Sequence, residues 1–341
     1  MMRIFYFIFL FLVLCVGTVY ADPTKIGAIL PLTGKMANIG VDLRDAITLQ
    51  ASNQIEFVFE DDAFEPKNTV SAVQKLLADP NVKALISFGS GTSLAVKQII
   101  ERAKTPAIAI AMTDKIVENS KNIFRYYIPV SAQSQMIASE IERRGYKRVV
   151  LVASQQEAML NFENIFRTTL NILPDGLIEV SLGDTDLRAI ATKAIAMKPD
   201  GICLLLLPPE LPAFARQVRQ LGYQGDFFGP AQLSNPDAIK VADGALNGAW
   251  LTTADDSTAG IFYQKFEQTF HRRPTPEALN AYDSAGLLLA ALNTPMPLEY
   301  LNNPSEYSGV FAKGLTLTAP NTFQPPLQIK VVKGKELEAA G

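Results

Sequence analysis

Short apolar runs alternate along this chain with stretches in which apolar residues recur every three or four positions. The runs Lys25–Leu30, Ile55–Glu60, Ala84–Phe88, Ala107–Met112, Arg148–Ala153, Gly201–Leu206, Asp226–Gly229 and Gly248–Thr253 predict strands. The helical spacing predicts helices over Val41–Ala51, Lys67–Ala78, Thr92–Ala103, Ala132–Arg144, Phe162–Leu173, Leu187–Met197, Leu211–Leu221, Ala259–Phe270 and Glu277–Leu292. Apolar strands separated by such helices imply βαβ units, that is, parallel sheets covered on both faces. Boundary residues agree. Pro66 opens one helix and Asp79-Pro80-Asn81 closes it, Gly145 and Gly222 close two others, and Asp186 is placed to cap the helix behind it.

The strands could fill one large sheet or two smaller ones. Two are expected, with the break in FRYYIP (124–129), where a run ends without an obvious helix start. Beyond Thr253 two helices come in succession, then a loop-rich stretch with Pro295, Pro297 and Pro304, then the apolar runs LTLTA and PLQIKVVKGKEL.

The first residues stand apart. Arg3 precedes IFYFIFLFLVLCVG, and small residues at Val19 and Ala21 come just before Asp22. This pattern reads as a secretory signal peptide over residues 1–21, cut after Ala21. Its apolar run of about 14 residues falls short of the roughly 20 that a spanning helix needs. Bulky Leu14 ahead of Cys15 argues against lipid attachment. Cleavage would leave Cys203, within GICLLLL, as the one cysteine, read as a buried small hydrophobe in a protein without an intramolecular disulfide. His271, in FHRRP, is the single histidine, so neither a structural metal site nor His-based catalysis finds partners. No metal or cofactor is expected. The net charge of −3, with no basic stripe, argues against nucleic acid.

Three places invite chemistry. Residues 83 to 99 read KALISFGSGTSLAVKQI, a strand handed to a helix through a Gly/Ser turn, which points backbone N–H groups and a positive helix end at one spot and favours an anion. It is not a Walker loop, because the next lysine, Lys97, falls inside the helix. Gly89-Ser90-Gly91 begins a dinucleotide fingerprint, with Asp114 as a possible ribose acid, but Leu94 occupies the closing glycine position. The plain alternative is a serine or threonine capping its own helix. Thr113 ends the next strand. If the two strands are neighbours, Ser90 and Thr113 open on one crevice at their carboxyl ends, suited to a carboxylate or a neutral polar ligand. Asp61-Asp62 invites an acid/base or metal reading, against that of a loop acid capping the helix near Pro66. No Ser–His–Asp or Cys–His set can be assembled, and an enzyme is not expected.

A resemblance accompanies these residues. KIGAILPLTG (25–34), followed by Ala37 and Gly40, resembles the start of type I periplasmic solute-binding proteins, the leucine/isoleucine/valine-binding proteins of ABC transporters. EDDAFEPKNTV (60–70), LISFGSGTS (85–93), FRYYIPVSAQ (124–133), GDTDL (183–187), KPDGI (198–202), RQLGY (219–223), AYDSAGLLLAAL (281–292) and PLQIKVVKGKEL are similar to further family elements in order. The resemblance implies a periplasmic α/β protein of two doubly wound parallel-sheet lobes joined by a three-crossover hinge, with ligand in the cleft. The first lobe would comprise residues 22–126 and 255–315, the second 127–254 and 316–341.

Carried over residue by residue, the resemblance places a ligand carboxylate at Ser90 with Gly91 beside it. It gives Thr113 a ligand contact and makes Met112 or Ala111 a backbone contact. Other positions depart. The family's A-Y-G tyrosine corresponds to Met159, an aromatic of a later loop to Leu207, and one near the first helix to Ile39. The acid that pairs with an α-ammonium gives way to Ala231, with Gln232 beside it in GPAQLSN. A buried ammonium without a counter-charge costs several kcal/mol. A ligand with a carboxylate or polar end and an apolar body therefore fits better than an ordinary amino acid.

The implied function is that of an exported, monomeric solute-binding protein of an ABC importer, delivering a small amino-acid-like or organic-acid ligand to an inner-membrane permease. A non-transport receptor or scaffold on the same fold, a sensor domain or a penicillin-binding-protein activator, is the alternative that the altered second-lobe pocket motivates. A nicotinamide-type oxidoreductase rests only on the partial glycine pattern, and export argues against it.

Overall fold

The computed structural model describes residues 23–51, 55–168, 176–304, 307–311, 317–318 and 321–340. The expected signal peptide, most of LTLTA and the end of the helix expected to reach Leu173 lie outside these residues. Two sheets are present, each buried between helices. In the first, β1 (Thr24–Leu30), β2 (Ile55–Asp61), β3 (Val82–Phe88), β4 (Ala107–Ile110), β5 (Ile123–Tyr126) and β11 (Thr322–Phe323) lie in the order β11-β5-β4-β3-β1-β2, all parallel. The second holds β6 (Val149–Ser154), β7 (Gly176–Val180), β8 (Gly201–Leu205), β9 (Asp226–Gly229), β10 (Trp250–Ala254), β12 (Leu327–Lys333) and β13 (Glu336–Ala339). Their order is β13-β12-β10-β9-β8-β6-β7. This sheet is not wholly parallel: β12 runs antiparallel to β10 and β13 antiparallel to β12, since a tight turn at Gly334 returns the chain directly.

The helices are α1 (Ala37–Thr48), α2 (Pro66–Ala78), α3 (Ser90–Ala103), α4 (Val130–Arg144), α5 (Glu157–Thr168), α6 (Arg188–Ala196), α7 (Leu211–Gln220), α8 (Pro236–Val241), α9 (Gly260–Phe270), α10 (Glu277–Leu292) and α11 (Pro297–Asn302). On the first sheet α1 packs with α10 and α2 with α3; on the second α4 packs with α5 and α6 with α7. Central strands such as β8, with every residue buried, have helices on both faces, as their unbroken apolar sequence requires. Phe228 and Trp250 stack at 4.5 Å inside the second lobe.

Pro66 is the first residue of α2, and Gly145 and Gly222 take the left-handed conformations (φ +70° and +89°) that end α4 and α7. Asp186 does not cap its helix. Leu187 occupies the cap of α6, and its N–H is taken instead by the Gln217 side chain. The chain passes from the first sheet to the second between Tyr126 and α4, and returns after β10. Because β11 pairs with β5, the last passage lies between Phe323 and Leu327, later than the 315/316 division read from sequence.

Both sheets share one topology. Around their first strands the orders are β2-β1-β3-β4-β5 and β7-β6-β8-β9-β10. In each, the connections reverse direction once, between β1 and β3 and between β6 and β8. At such a switch point, helices leave on opposite faces and a crevice opens beyond the carboxyl ends of the strands.

Candidate ligand-binding cleft

The two crevices meet. One cleft is lined by Met36 and Ile39 after β1, Gly89 to Gly91 after β3, Gln156 to Met159 after β6, and Leu207 and Pro208 after β8. Met112 follows β4, Gln232 follows β9, and Glu277 completes the wall from the start of α10. The cleft encloses about 530 Å³ with its open mouth included, within the range of small-molecule sites.

The loop after β3 is built for close approach. Gly89 has φ +91°, and a Cβ there would fall 2.6 Å from the Phe64 ring and 2.7 Å from Thr92 Oγ1. Ser90, the first residue of α3, does not cap its own helix. Its Oγ accepts the N–H groups of Met112 and Thr113, each at 3.2 Å, and its hydroxyl proton remains to be donated. Thr92 turns its hydroxyl back to the carbonyls of Phe88 and Gly89. The first-turn N–H groups of α3 have no carbonyl a turn earlier in the helix, so this end of the cleft offers donors and a positive dipole.

A buried arginine fixes the partner loop. Arg125 of β5, 1% exposed, donates through one terminal nitrogen to the carbonyls of Met112 (3.2 Å) and Thr113 (3.1 Å) and to Asp114 (3.0 Å). Its other terminal nitrogen reaches Thr322 of β11 at 3.1 Å. Burial presses its guanidinium below the ordinary value, with Asp114 opposing. The second lobe has a counterpart: Ser154 at the end of β6 accepts the Leu207 N–H (3.1 Å) and donates to buried Glu210 (3.0 Å).

Of the residues singled out in the sequence, Ser90, Gly91, Ile39, Met112, Met159, Leu207 and Gln232 come together on this cleft. Thr113 and Ala231 do not. Thr113 is fully buried, its hydroxyl without a partner among the described residues, and is drawn inward because Arg125 and Ser90 hold its backbone. Ala231 gives its N–H to Gln133 (3.0 Å) and faces a separate cavity lined also by Asp256 and Lys330. The pair Asp61-Asp62 is structural. Asp61 binds the backbone of Leu32, Thr33 and Ala63, and buried Asp62 takes the Phe64 N–H and the Thr69 hydroxyl, so neither caps α2 through its own N-cap. Cys203 is fully buried, and burial raises its thiol well above the ordinary value.

Glu277 escaped sequence reading, since an acid in a first helical turn is ordinary. Here it is 5% exposed and accepts the Tyr127 hydroxyl at 3.4 Å; its own N–H and the Thr275 hydroxyl also favour its ionised form, and among the described residues Oε2 has no partner at hydrogen-bond distance. Burial raises its carboxyl to about 7.

Residues 23–297 match the family described as periplasmic binding protein. The chain belongs to the periplasmic binding protein family. It is 25% identical over 296 residues, covering 80% of this chain and 79% of the relative, to the Leu/Ile/Val-binding protein BraC3 of Rhizobium johnstonii. The leucine-binding protein of Thermotoga maritima has the same fold, with a TM-score of 0.84 at 22% identity, covering 93% of this chain and 98% of that one. So does a solute-binding protein from R. palustris in complex with benzoate, with a TM-score of 0.84 at 19% identity over 94% and 96% of the two chains. This periplasmic binding protein has no helix among its described residues long and apolar enough to cross a membrane. Its lobes touch across the cleft mouth. Lys115 pairs with Glu157 at 2.9 Å, and Lys35 reaches the Leu182 carbonyl at 2.6 Å.

Proposed function

We propose that this protein is exported through a cleaved signal peptide, captures a small solute in the cleft and delivers it to the permease of an ABC importer. The solute has a carboxylate or polar end and an apolar body. The observation that carries this reading is the donor end of the cleft, where the free Ser90 hydroxyl proton and the open first turn of α3 face walls formed by Ile39, Met159 and Leu207. A carboxylate suits the donors and an apolar group suits the walls. The similarity to a benzoate-bound protein and to Leu/Ile/Val-binding proteins supports the same ligand outline. A thermal-shift screen of amino acids and organic acids tests it. Carboxylates with apolar bodies are expected to raise the melting temperature. If no small molecule does, and pull-down from periplasm instead retains an enzyme or sensor, the receptor or scaffold reading replaces transport.

A further inference from the structure

We infer that Glu277 recognises a protonated amine on the bound solute, so that the carboxylate of an amphoteric ligand meets Ser90 while its ammonium meets the first residue of α10. This assignment rests on the reading of the cleft as a solute site and adds a specificity-determining residue to it.

The unpaired polar atoms of the cleft carry the argument. Among the described residues Glu277 Oε2 has no partner at hydrogen-bond distance, and Oε1 takes the long bond from Tyr127. Buried carboxylates ordinarily accept several hydrogen bonds, and one left short of partners is costly. A ligand that brings donors removes that cost. Gln232 repeats the pattern. Its amide nitrogen lies against the Met112 sulfur at 3.3 Å, and its Oε1 is buried without a partner among the described residues. Both vacancies are acceptors, and an ammonium group supplies three donors. The other acid on the cleft, Glu157, is already paired with Lys115 and is a third exposed, so it does not compete for this role. The positive end of α10 favours the ionised form of Glu277. Its raised carboxyl leaves it ready to ionise fully when a cation arrives. Ala231, facing another cavity, supplies no charge. The acid absent from the second lobe thus has a substitute on the first.

The test compares matched probes by calorimetry at pH 8: L-leucine against 4-methylpentanoate, L-phenylalanine against 3-phenylpropanoate, and the remaining L-amino acids against their desamino acids, with benzoate alongside. At least one amino acid is expected to bind the wild-type protein about tenfold or more tighter than its desamino partner. Glu277→Gln is expected to collapse that preference to within about threefold while keeping affinity for the desamino acid, a selective effect that a general loss of structure would not produce. Equal binding of both series by the wild-type protein overturns the assignment and leaves the cleft reading standing, even if no variant folds. Retention of the preference in Glu277→Gln, or its loss in Glu157→Gln alone, also overturns it. If neither series binds the wild-type protein, the cleft reading and the role of Glu277 fall together.

Discussion

Ser90 ties two loops together with one oxygen. Replacing it with alanine leaves the Met112 and Thr113 N–H groups buried without an acceptor, at about 1–3 kcal/mol for each group left unsatisfied. Ser90→Ala is therefore expected to lower stability by at least about 1 kcal/mol in urea titration and to weaken carboxylate binding. A variant as stable as the parent would show that the hydroxyl does not hold the loop. Glu277 acts in the opposite sense. Its carboxyl is raised from 4.5 to about 7 by burial, so the folded state holds the proton more tightly than the unfolded chain. From this group, stability falls as pH rises from about 4.5 to 7 and stays reduced above. The ionisable groups that act on it include Tyr127, Asp42 and Tyr263. Without solute, Glu277→Gln is expected to raise the melting temperature at pH 8 and to leave it nearly unchanged at pH 4.5. A gain that is equal at both pH values would remove the ionised carboxylate as its cause.

At the scale of elements, β5 is the strand whose role the sequence concealed. FRYYIP reads as the break between lobes because a run ends there without an obvious helix start, and the chain crosses after Tyr126; what the sequence does not show is that Ile123 to Tyr126 lie inside the first sheet, between β4 and β11. Only the folded chain shows why an arginine stands there: one guanidinium binds the loop bearing Met112 and Thr113 and, through Thr322, the short strand beside it. Arg125→Met keeps the bulk and removes the donors. It is expected to destabilise the protein by about 2 kcal/mol, because the Met112 and Thr113 carbonyls and Asp114 each lose a charged donor while keeping their bonds from Val130, Ile116 and Ser131, and to weaken binding by loosening Met112. A loss below about 1 kcal/mol in chemical denaturation would show that the loop holds without it. Elements with long apolar runs, such as β1, β3 and α10, were legible because burial on both faces writes itself into composition. β7 was not, since its GLIEV segment lies at an edge and is partly exposed. β11, two residues long, offers no pattern. The cleft divided in the same way. Ser90 was visible from its strand–turn–helix setting, and the lining positions Met159 and Leu207 from the resemblance. Glu277 was not, because its burial depends on Tyr127 and on the loop before α10, far apart in sequence.

For the whole molecule, what matters is that two sheets of one topology present their switch points to each other, so neither lobe holds a complete site. The donor end belongs to the first lobe, while Met159, Leu207 and Gln232 belong to the second. On the proposed solute-binding reading, affinity would depend on how often the lobes meet, and a solute that binds both would favour the closed arrangement by its differential affinity for it. Two contacts close the mouth independently of the solute: Lys115 with Glu157, and Lys35 with the Leu182 carbonyl. Exposed pairs of this kind contribute about 0–1 kcal/mol each. Lys115→Ala combined with Lys35→Met should therefore shift the solute-free protein toward the open state, visible as a larger radius of gyration in X-ray scattering. It should weaken binding by less than about thirtyfold, chiefly through faster release, with little change in melting temperature because each lobe keeps its own core. High salt should act in the same direction on the wild-type protein and should have little effect on the double variant. A loss of binding beyond about a hundredfold would place these lysines on the solute itself rather than on the closing of the lobes around it.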